Sequence, residues 1–268
     1  MTVDTGGTKT LVAAFNRRGQ LGGQNGRFAT PKDPREYLVE LTKAITTVSN
    51  GSTIDAICIG IPGAVKKGVV LWAFNLGWEN VSIGSNIEKR FACPVYFEND
   101  ANLAGLAEAH ALPKVYDNVM YLTFSTGIGM GLIINHTILT ALSVTEPGHM
   151  MVEYDGKLRK WEDIASGRAI KATYNAYARD IHDPKVWAHI AEKMAAGLMV
   201  LIPTLVPDVI VVGGSIGTYF DRYQESLHVI LRQHLEPQFA SVDIRQAIHP
   251  EEAVIYGCYY YAVAQLDT

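Results

Sequence analysis

Three cysteines are all that this 268-residue chain holds, and Cys58, Cys93 and Cys258 lie far apart in apolar surroundings. That spacing excludes a disulfide framework and a cysteine metal cluster, and it reads as buried thiols in a reducing compartment. The chain has no Lys/Arg run, and 23 basic against 27 acidic residues give a net charge of −4. No nucleic-acid or membrane-surface partner is therefore expected. The apolar run from Leu198 to Val206 is interrupted by Pro203 and too short to span a bilayer. No signal-peptide pattern opens the chain, because Asp4 and a glycine turn break it early, so a cytoplasmic location is expected. Hydrophobic residues make up 48% and charged residues 19%. That suffices for a full core in one large domain or two small ones.

What the chain does have is one hairpin pattern written twice. Thr2-Val3-Asp4-Thr5-Gly6-Gly7-Thr8-Lys9-Thr10-Leu11-Val12-Ala13-Ala14-Phe15-Asn16 is the first copy, and the stretch from Tyr121 to Asn135, centred on Ser125-Thr126-Gly127-Ile128-Gly129, is the second. Each reads as an apolar strand, a Thr-Gly turn with a further glycine, a second apolar strand and an Asn turn. The glycines are expected to supply positive φ and to bring bare backbone N–H groups close to a ligand. Rows of such groups form anion nests. Two related nests suggest two lobes gripping a polyphosphate from opposite sides. Asp4 sits at the mouth of the first turn, where a carboxylate would repel phosphate unless a cation, typically magnesium, lies between them. Lys9 and the hydroxyls of Thr5, Thr8 and Thr126 are candidate contacts to phosphate or to metal-bound water. Either turn alone is as well explained as an ordinary tight turn; the pairing is what carries weight.

Between and after the hairpins, strand and helix patterns alternate, which indicates an α/β architecture with largely covered sheets. Helices are expected from Pro34, over 86–91, 102–112, 161–178, 184–202, 220–235 and 251–265, and strands over 54–61, 94–97 and 208–212. The restart near residue 119 suggests a duplication. Residues 1–112 then form an N-terminal lobe with the closing helix 251–268 packed on it, residues 113–250 form a C-terminal lobe, and the active cleft lies between the lobes.

Several short clusters could carry chemistry. In Glu98-Asn99-Asp100-Ala101-Asn102, at a strand-to-helix junction, either Asn99 or Asp100 merely caps the helix, or Asp100 acts as a general base kept ionised by the helix N-terminus. Asn102 either caps the same helix or faces the cleft. Glu146-Pro147-Gly148-His149 could grip neighbouring hydroxyls. Glu162 opens a helix and is explained equally well as a first-turn acid. Gly213-Gly214-Ser215 follows a buried strand, a usual place for a nucleotide crevice, although its spacing is not that of a dinucleotide motif.

Taken in order, DTGGTKT at 4–10, GIPG at 60–63, NLGW at 75–78, ENDANLAGLAEA at 98–109, STGIGMG at 125–131, EPGH at 146–149, WEDIASGRAI at 161–170 and VVGGSI at 211–216 resemble the ROK family of sugar kinases. The resemblance spans nearly the whole chain. It implies the two-lobe, actin-like (ribonuclease H-like) α/β ATPase fold of the hexokinase type, and transfer of the γ-phosphoryl of ATP, with Mg2+, to a hexose hydroxyl. It makes Asp100 the catalytic base, and Gly63, Asn99, Glu146, His149 and Glu162 sugar-binding residues beside it. It assigns Asp4, Gly6, Gly7, Thr8 and Lys9 to the first phosphate motif, Thr126, Gly127 and Gly129 to the second, and Gly213, Gly214 and Ser215 to adenosine, with Asp4 holding magnesium through water. Many members bind zinc through the GH histidine and three cysteines. The segment from Met150 to Lys160 has no cysteine, so no zinc is expected and His149 should be fixed by packing and hydrogen bonds. The same loss resembles the zinc-free polyphosphate glucokinase branch. Ser125 replaces a common glycine, and Phe74, where proline is more usual, is expected to reshape the sugar pocket.

No DNA-reading helix-turn-helix is read ahead of Asp4, so the family's repressors are expected to be excluded, leaving the kinases. The leading expectation is a glucokinase acting on the 6-hydroxyl of glucose. An N-acetylhexosamine, fructose or polyphosphate-dependent sugar kinase is the alternative within the class, and a non-catalytic sugar or nucleotide sensor is the alternative outside it. The family often dimerises, so a homodimer is considered. The tyrosines of the last helix, Tyr256, Tyr259 and Tyr260, read as core rather than interface.

Overall fold

The computed structural model describes residues 1–66, 68–249 and 252–267. The chain divides into two compact units, Met1–Ala107 with Glu252–Thr268, and Glu108–Glu251. The lobe boundary expected at 250/251 lies outside the described residues.

In unit 1, β1 (Thr2–Thr5) turns back through Gly6-Gly7-Thr8 into β2 (Lys9–Ala13), followed by β3 (Gly26–Ala29), α1 (Pro34–Ser49) and β4 (Ile57–Ile61). A small antiparallel sheet of β5 (Ala64–Lys66), β6 (Val69–Ala73) and β7 (Trp78–Val81) comes next. It is followed by α2 (Gly84–Phe91), β8 (Val95–Asn99) and α3 (Asp100–Ala111), which runs on past the end of unit 1. The main sheet has the order β3-β2-β1-β4-β8. β1 is antiparallel to β2 and parallel to β4, and β4 is parallel to β8.

Unit 2 repeats that plan. It holds β9 (Asn118–Phe124), β10 (Ile128–Ile134), β11 (Thr137–Ile138), the hairpin of β12 (Met151–Tyr154) and β13 (Lys157–Lys160), and α4 (Glu162–Ala165). Then come α5 (Gly167–Tyr174), α6 (Pro184–Leu205), β14 (Val209–Gly213), α7 (Gly214–Gly217), α8 (Gln224–His234), α9 (Pro237–Ala240) and β15 (Asp243–Gln246). Its sheet order is β11-β10-β9-β14-β15, with β9 antiparallel to β10, parallel to β14, and β14 parallel to β15. The repetition visible as two hairpins is therefore a repetition of a five-stranded sheet. The chain closes with α10 (Ala253–Leu266), which packs on β1 and β4 of unit 1.

Local chemistry explains the helix ends. The Asp33 and Asp183 side chains accept from the N–H groups of Arg35 and Lys185, and Pro34 and Pro184 occupy the first turn, where no N–H partner is needed. Asn50 closes α1 in the left-handed region. The expected helix over 161–178 is not continuous. Ser166 is extended, its hydroxyl caps α5 by accepting from Ala169 N, and Gly167 N–H donates to Ser125 O at 2.6 Å. The expected helix over 220–235 likewise starts with a 3-10 turn, and α8 begins at Gln224.

The two cores are separate. Unit 1 buries Val3, Val12, Leu41, Ile45, Ile57, Ile59 and Trp78. Unit 2 buries Leu122, Phe124, Trp161, Trp187, Met194 and Leu198. All three cysteines are buried and free. Among the described residues α6 is the one helix long and apolar enough to cross a membrane, and 56% of its apolar window is buried inside the structure.

Candidate active site

In unit 1, three parallel strands end in a row. Asp4 on β1 is in register with Gly60 on β4, and Gly60 with Glu98 on β8. Loops that follow such carboxyl ends are where open α/β sheets hold ligands. The first glycine turn, Gly63 and the Asn99-Asp100 junction all lie at this end. Asn99 Nδ2 donates to Gly63 O at 2.9 Å, and Asn99 Oδ1 accepts from the N–H groups of Ala101 at 2.8 Å and Asn102 at 3.1 Å. Asn99 is thus the helix cap, and α3 begins at Asp100 rather than at 102. Asn102 is buried and donates to Glu98 Oε1 at 2.9 Å, an oxygen that also accepts from Asn99 N–H. Burial raises the Glu98 carboxyl above its ordinary range, against the pull of those two hydrogen bonds. This brace leaves Asp100 partly exposed in the first turn of α3, its Oδ1 accepting from Ala101 N–H at 2.8 Å.

The first turn closes by Gly6 N–H donating to Lys9 O at 2.9 Å. Neither Gly6 nor Gly7 has positive φ, which corrects the expectation from sequence. Gly6 is required by proximity, since a Cβ there would lie 2.9 Å from Lys9 O. The Thr5 hydroxyl does not face a ligand either: it is buried and shares a 2.7 Å hydrogen bond with Tyr37 OH. Thr8 and Lys9 are exposed. Burial pushes the Asp4 carboxyl up to about 6, with Lys9 pulling the other way. A half-buried carboxylate so poorly compensated fits a cation-facing role. Among the described residues no three His, Cys, Asp or Glu side chains form a metal cluster. A magnesium ion at Asp4 would therefore draw its other ligands from phosphate and water.

In unit 2, Gly213 on β14 is in register with Thr123 on β9, next to the second turn. Gly214 does need its positive φ (+76°), and a Cβ on it would lie 2.6 Å from Phe124 O. Ser215 follows in the single turn of α7. The structure thus brings Gly213, Gly214 and Ser215 to the same strand end as Thr126, Gly127 and Gly129.

Glu162, in α4, faces that second turn. A Cβ on Gly127 would lie 2.9 Å from Glu162 Oε2, and one on Gly148 would lie 3.1 Å from the same oxygen. Gly127 and Gly129, like Gly6, have no positive φ. His149 Nε2 is 3.7 Å from Glu162 Oε1 and Arg168 Nη2 is 3.3 Å from it. Glu162 is 17% exposed, His149 44%. Partial desolvation raises the Glu146 carboxyl, His149 opposes the rise and Glu162 adds to it. Glu146, His149 and Glu162 therefore form one interacting group.

The segment where the resemblance would put cysteines is the β12–β13 hairpin, held by side chains from elsewhere. Tyr154 OH and His189 Nε2 are 2.6 Å apart, and Tyr174 OH is 2.9 Å from His189 Nδ1. Phe74 is 75% exposed and lies beside a groove of about 420 Å³ lined also by Leu71, Trp72, Trp78 and Glu79.

Sequence reasoning missed Arg168, Glu98 and Lys32. Arg168 pairs with Glu162 across the break at Ser166, which no helical periodicity signals. Lys32 Nζ donates to Gly7 O at 3.0 Å and also to Asn75 O.

Comparison with known proteins extends this geometry. The chain is 25% identical to the ROK family glucokinase of Streptomyces griseus solved with glucose and AMPPNP, over 96% of each chain, with a TM-score of 0.80. It is 31% identical over 179 residues to a glucokinase of Streptomyces coelicolor, covering 63% of this chain and 56% of that protein. It is 26% identical over 243 residues to a xylose repressor of Caldicellulosiruptor bescii, covering 75% of this chain and 61% of that protein. The chain thus spans about three fifths of the length of the curated relatives it first matches. The family model, described as ROK family, matches residues 1–265. By that match this chain belongs to the ROK family and has its two-lobe, actin-like ATPase fold.

Proposed function

We propose that the chain is a sugar kinase that transfers the γ-phosphoryl group of ATP to the 6-hydroxyl of a hexose, with glucose as the first candidate. The observation that carries this reading is the braced junction at 98–102. Two buried polar residues, Glu98 and Asn102, and the capping Asn99 hold one carboxylate, Asp100, partly exposed at a helix start. The glucose and AMPPNP bound by the Streptomyces griseus relative support the choice of substrates.

In this reading Asp100 accepts the proton of the sugar hydroxyl as its oxygen attacks the γ-phosphorus, and the bond to the β–γ bridging oxygen breaks to release ADP. Asn99, Glu146, His149 and Glu162 accept from or donate to the other hydroxyls and fix the sugar, with Gly63 against it. Fixing a reactant supplies a large share of such catalysis. The N–H groups of the two glycine turns meet the phosphates, assisted by Thr8, Lys9 and Thr126, and Gly213, Gly214 and Ser215 lie against adenosine. Asp4 would hold magnesium through water; when bound, that ion would offset phosphate charge. Water-excluding closure on sugar binding belongs to the same reading.

A second reading, a non-catalytic sugar sensor, is favoured by the xylose repressor relative. ADP release is measured with magnesium and ATP against glucose, N-acetylglucosamine, N-acetylmannosamine, mannose and fructose, with polyphosphate as a parallel donor. Sugar-dependent ADP release is expected, and Asp100→Ala should lower turnover about 10²- to 10⁴-fold while sugar affinity stays within about tenfold. Full turnover in Asp100→Ala overturns the assignment of the base. Sugar binding without any ADP in the wild type selects the sensor.

A further inference from the structure

We propose that Lys32 is a positioning residue for the nucleotide phosphates, pinning the Gly7 carbonyl and thereby aiming the Thr8 N–H of the first glycine turn. This rests on the reading of that turn as a phosphate cradle.

The turn spends its Gly6 N–H on its own closure, donating to Lys9 O. The N–H groups left to meet an anion are those of Gly7 and Thr8. In a trans peptide the carbonyl of one residue and the N–H of the next point to opposite sides, and there is no cis peptide among the described residues. Whatever holds Gly7 O therefore sets the direction of Thr8 N–H. A Gly-Gly pair is the backbone segment least able to hold that direction by itself. Lys32 Nζ does so, donating to Gly7 O at 3.0 Å while donating to Asn75 O. Charge-assisted hydrogen bonds of this kind are among the stronger ones.

The anchor is itself immobilised. Lys32 O accepts from the buried Trp78 Nε1 at 2.7 Å. The Trp78 ring meets Tyr37 edge-on at 4.9 Å, and Tyr37 OH is bonded to Thr5, the residue before Gly6. Two routes thus join residues 5–7 to residues 75–78, one through the Lys32 ammonium and one through Tyr37. The second, and the backbone carbonyl of Lys32, survive replacement of the lysine side chain. The loss should therefore fall on Gly7 and the phosphate site, leaving the fold and the 75–78 loop in place.

The test measures binding of Mg-AMPPNP and, separately, of glucose to the full chain by calorimetry, for the wild type, Lys32→Met and Lys32→Arg, with melting temperatures alongside. Lys32→Met is expected to weaken AMPPNP about tenfold, the loss of roughly one charged hydrogen bond, with glucose affinity within about twofold and an unchanged melting temperature. Lys32→Arg, which keeps a cationic donor, should recover most of the affinity. Wild-type AMPPNP affinity in Lys32→Met overturns the proposal. So does a loss shared equally by glucose and by stability, which would mark a merely structural lysine. A wild type that binds no AMPPNP overturns the nucleotide reading itself and the proposal with it, a result read without any variant.

Discussion

The first and second glycine turns begin from nearly the same words, Thr-Gly-Gly-Thr and Thr-Gly-Ile-Gly, on strands that occupy the same place in two equivalent sheets. Their surroundings differ. The first is held from outside by backbone-directed bonds, with Lys32 on Gly7 O and Thr30 N–H donating to Thr8 O at 3.0 Å. The second is held against a carboxylate, Glu162, and tied to the start of α5 through Ser125 O. A methyl group at the equivalent glycine would meet a backbone carbonyl in one case and a candidate sugar-binding side chain in the other, each at 2.9 Å. One loop pattern thus has two surroundings: the first turn is held by backbone-directed bonds alone, and the second lies against Glu162 as well.

Removing the Glu162 charge should act most strongly. Glu162→Gln is expected to weaken sugar binding about 10- to 100-fold, the range for losing a charged hydrogen bond, with Mg-AMPPNP affinity little changed; calorimetry with both ligands decides. Equal loss of both would erase the proposed division of labour. Next, Gly127→Ala should weaken sugar binding about three- to tenfold by displacing the Glu162 carboxylate, whereas Gly6→Ala should weaken nucleotide and spare sugar. If the two alanines lose the same ligand, the turns are equivalent after all.

A third difference is electrostatic. The first turn has Asp4 at its mouth, where the second has the uncharged Ser125. Since burial raises the folded-state carboxyl of Asp4 from its ordinary 3.8 to about 6, the stabilising effect of the protonated form is full below pH 4 and is lost as pH rises through 6. Asp4→Asn should therefore raise ligand-free stability at pH 8 by about 1–2 kcal/mol, with the gain shrinking below pH 6 and gone near pH 4. Thermal melts across that range measure it, and a gain that grows toward acid contradicts the burial argument. The smallest effect expected is that of Thr5→Val, a loss of about 1 kcal/mol of stability from the bond to Tyr37, with AMPPNP affinity unmoved. A large affinity loss would return the Thr5 hydroxyl to the phosphate site.

These differences mark how far local sequence could be read. The hairpins, the strand-to-helix junction at Asp100 and the Gly213-Gly214 bend are each written within about ten consecutive residues, and turn and cap chemistry acts over that span. The purpose of the glycines was not legible there. Gly6, Gly7, Gly127 and Gly129 have ordinary φ values, and at Gly6 and Gly127 the room left by a missing side chain is used by Lys9 O and Glu162. Nor was the break before Gly167, because Trp161 to Ala178 carries helical periodicity and the interruption comes from a bond to Ser125.

Sequence by itself determined the alternation of strands and helices, the duplicated hairpin, the strand-to-helix junction at Asp100 and the family, because each rests on neighbours along the chain. Only tertiary structure decided what each turn faces. Lys32 reaches Gly7 across 25 residues and Asn75 across 43, and Tyr154 reaches His189 across 35. No periodicity encodes pairs so distant, since their meeting depends on how the strands stack side by side in the sheets and on what the helices then bring over the strand ends.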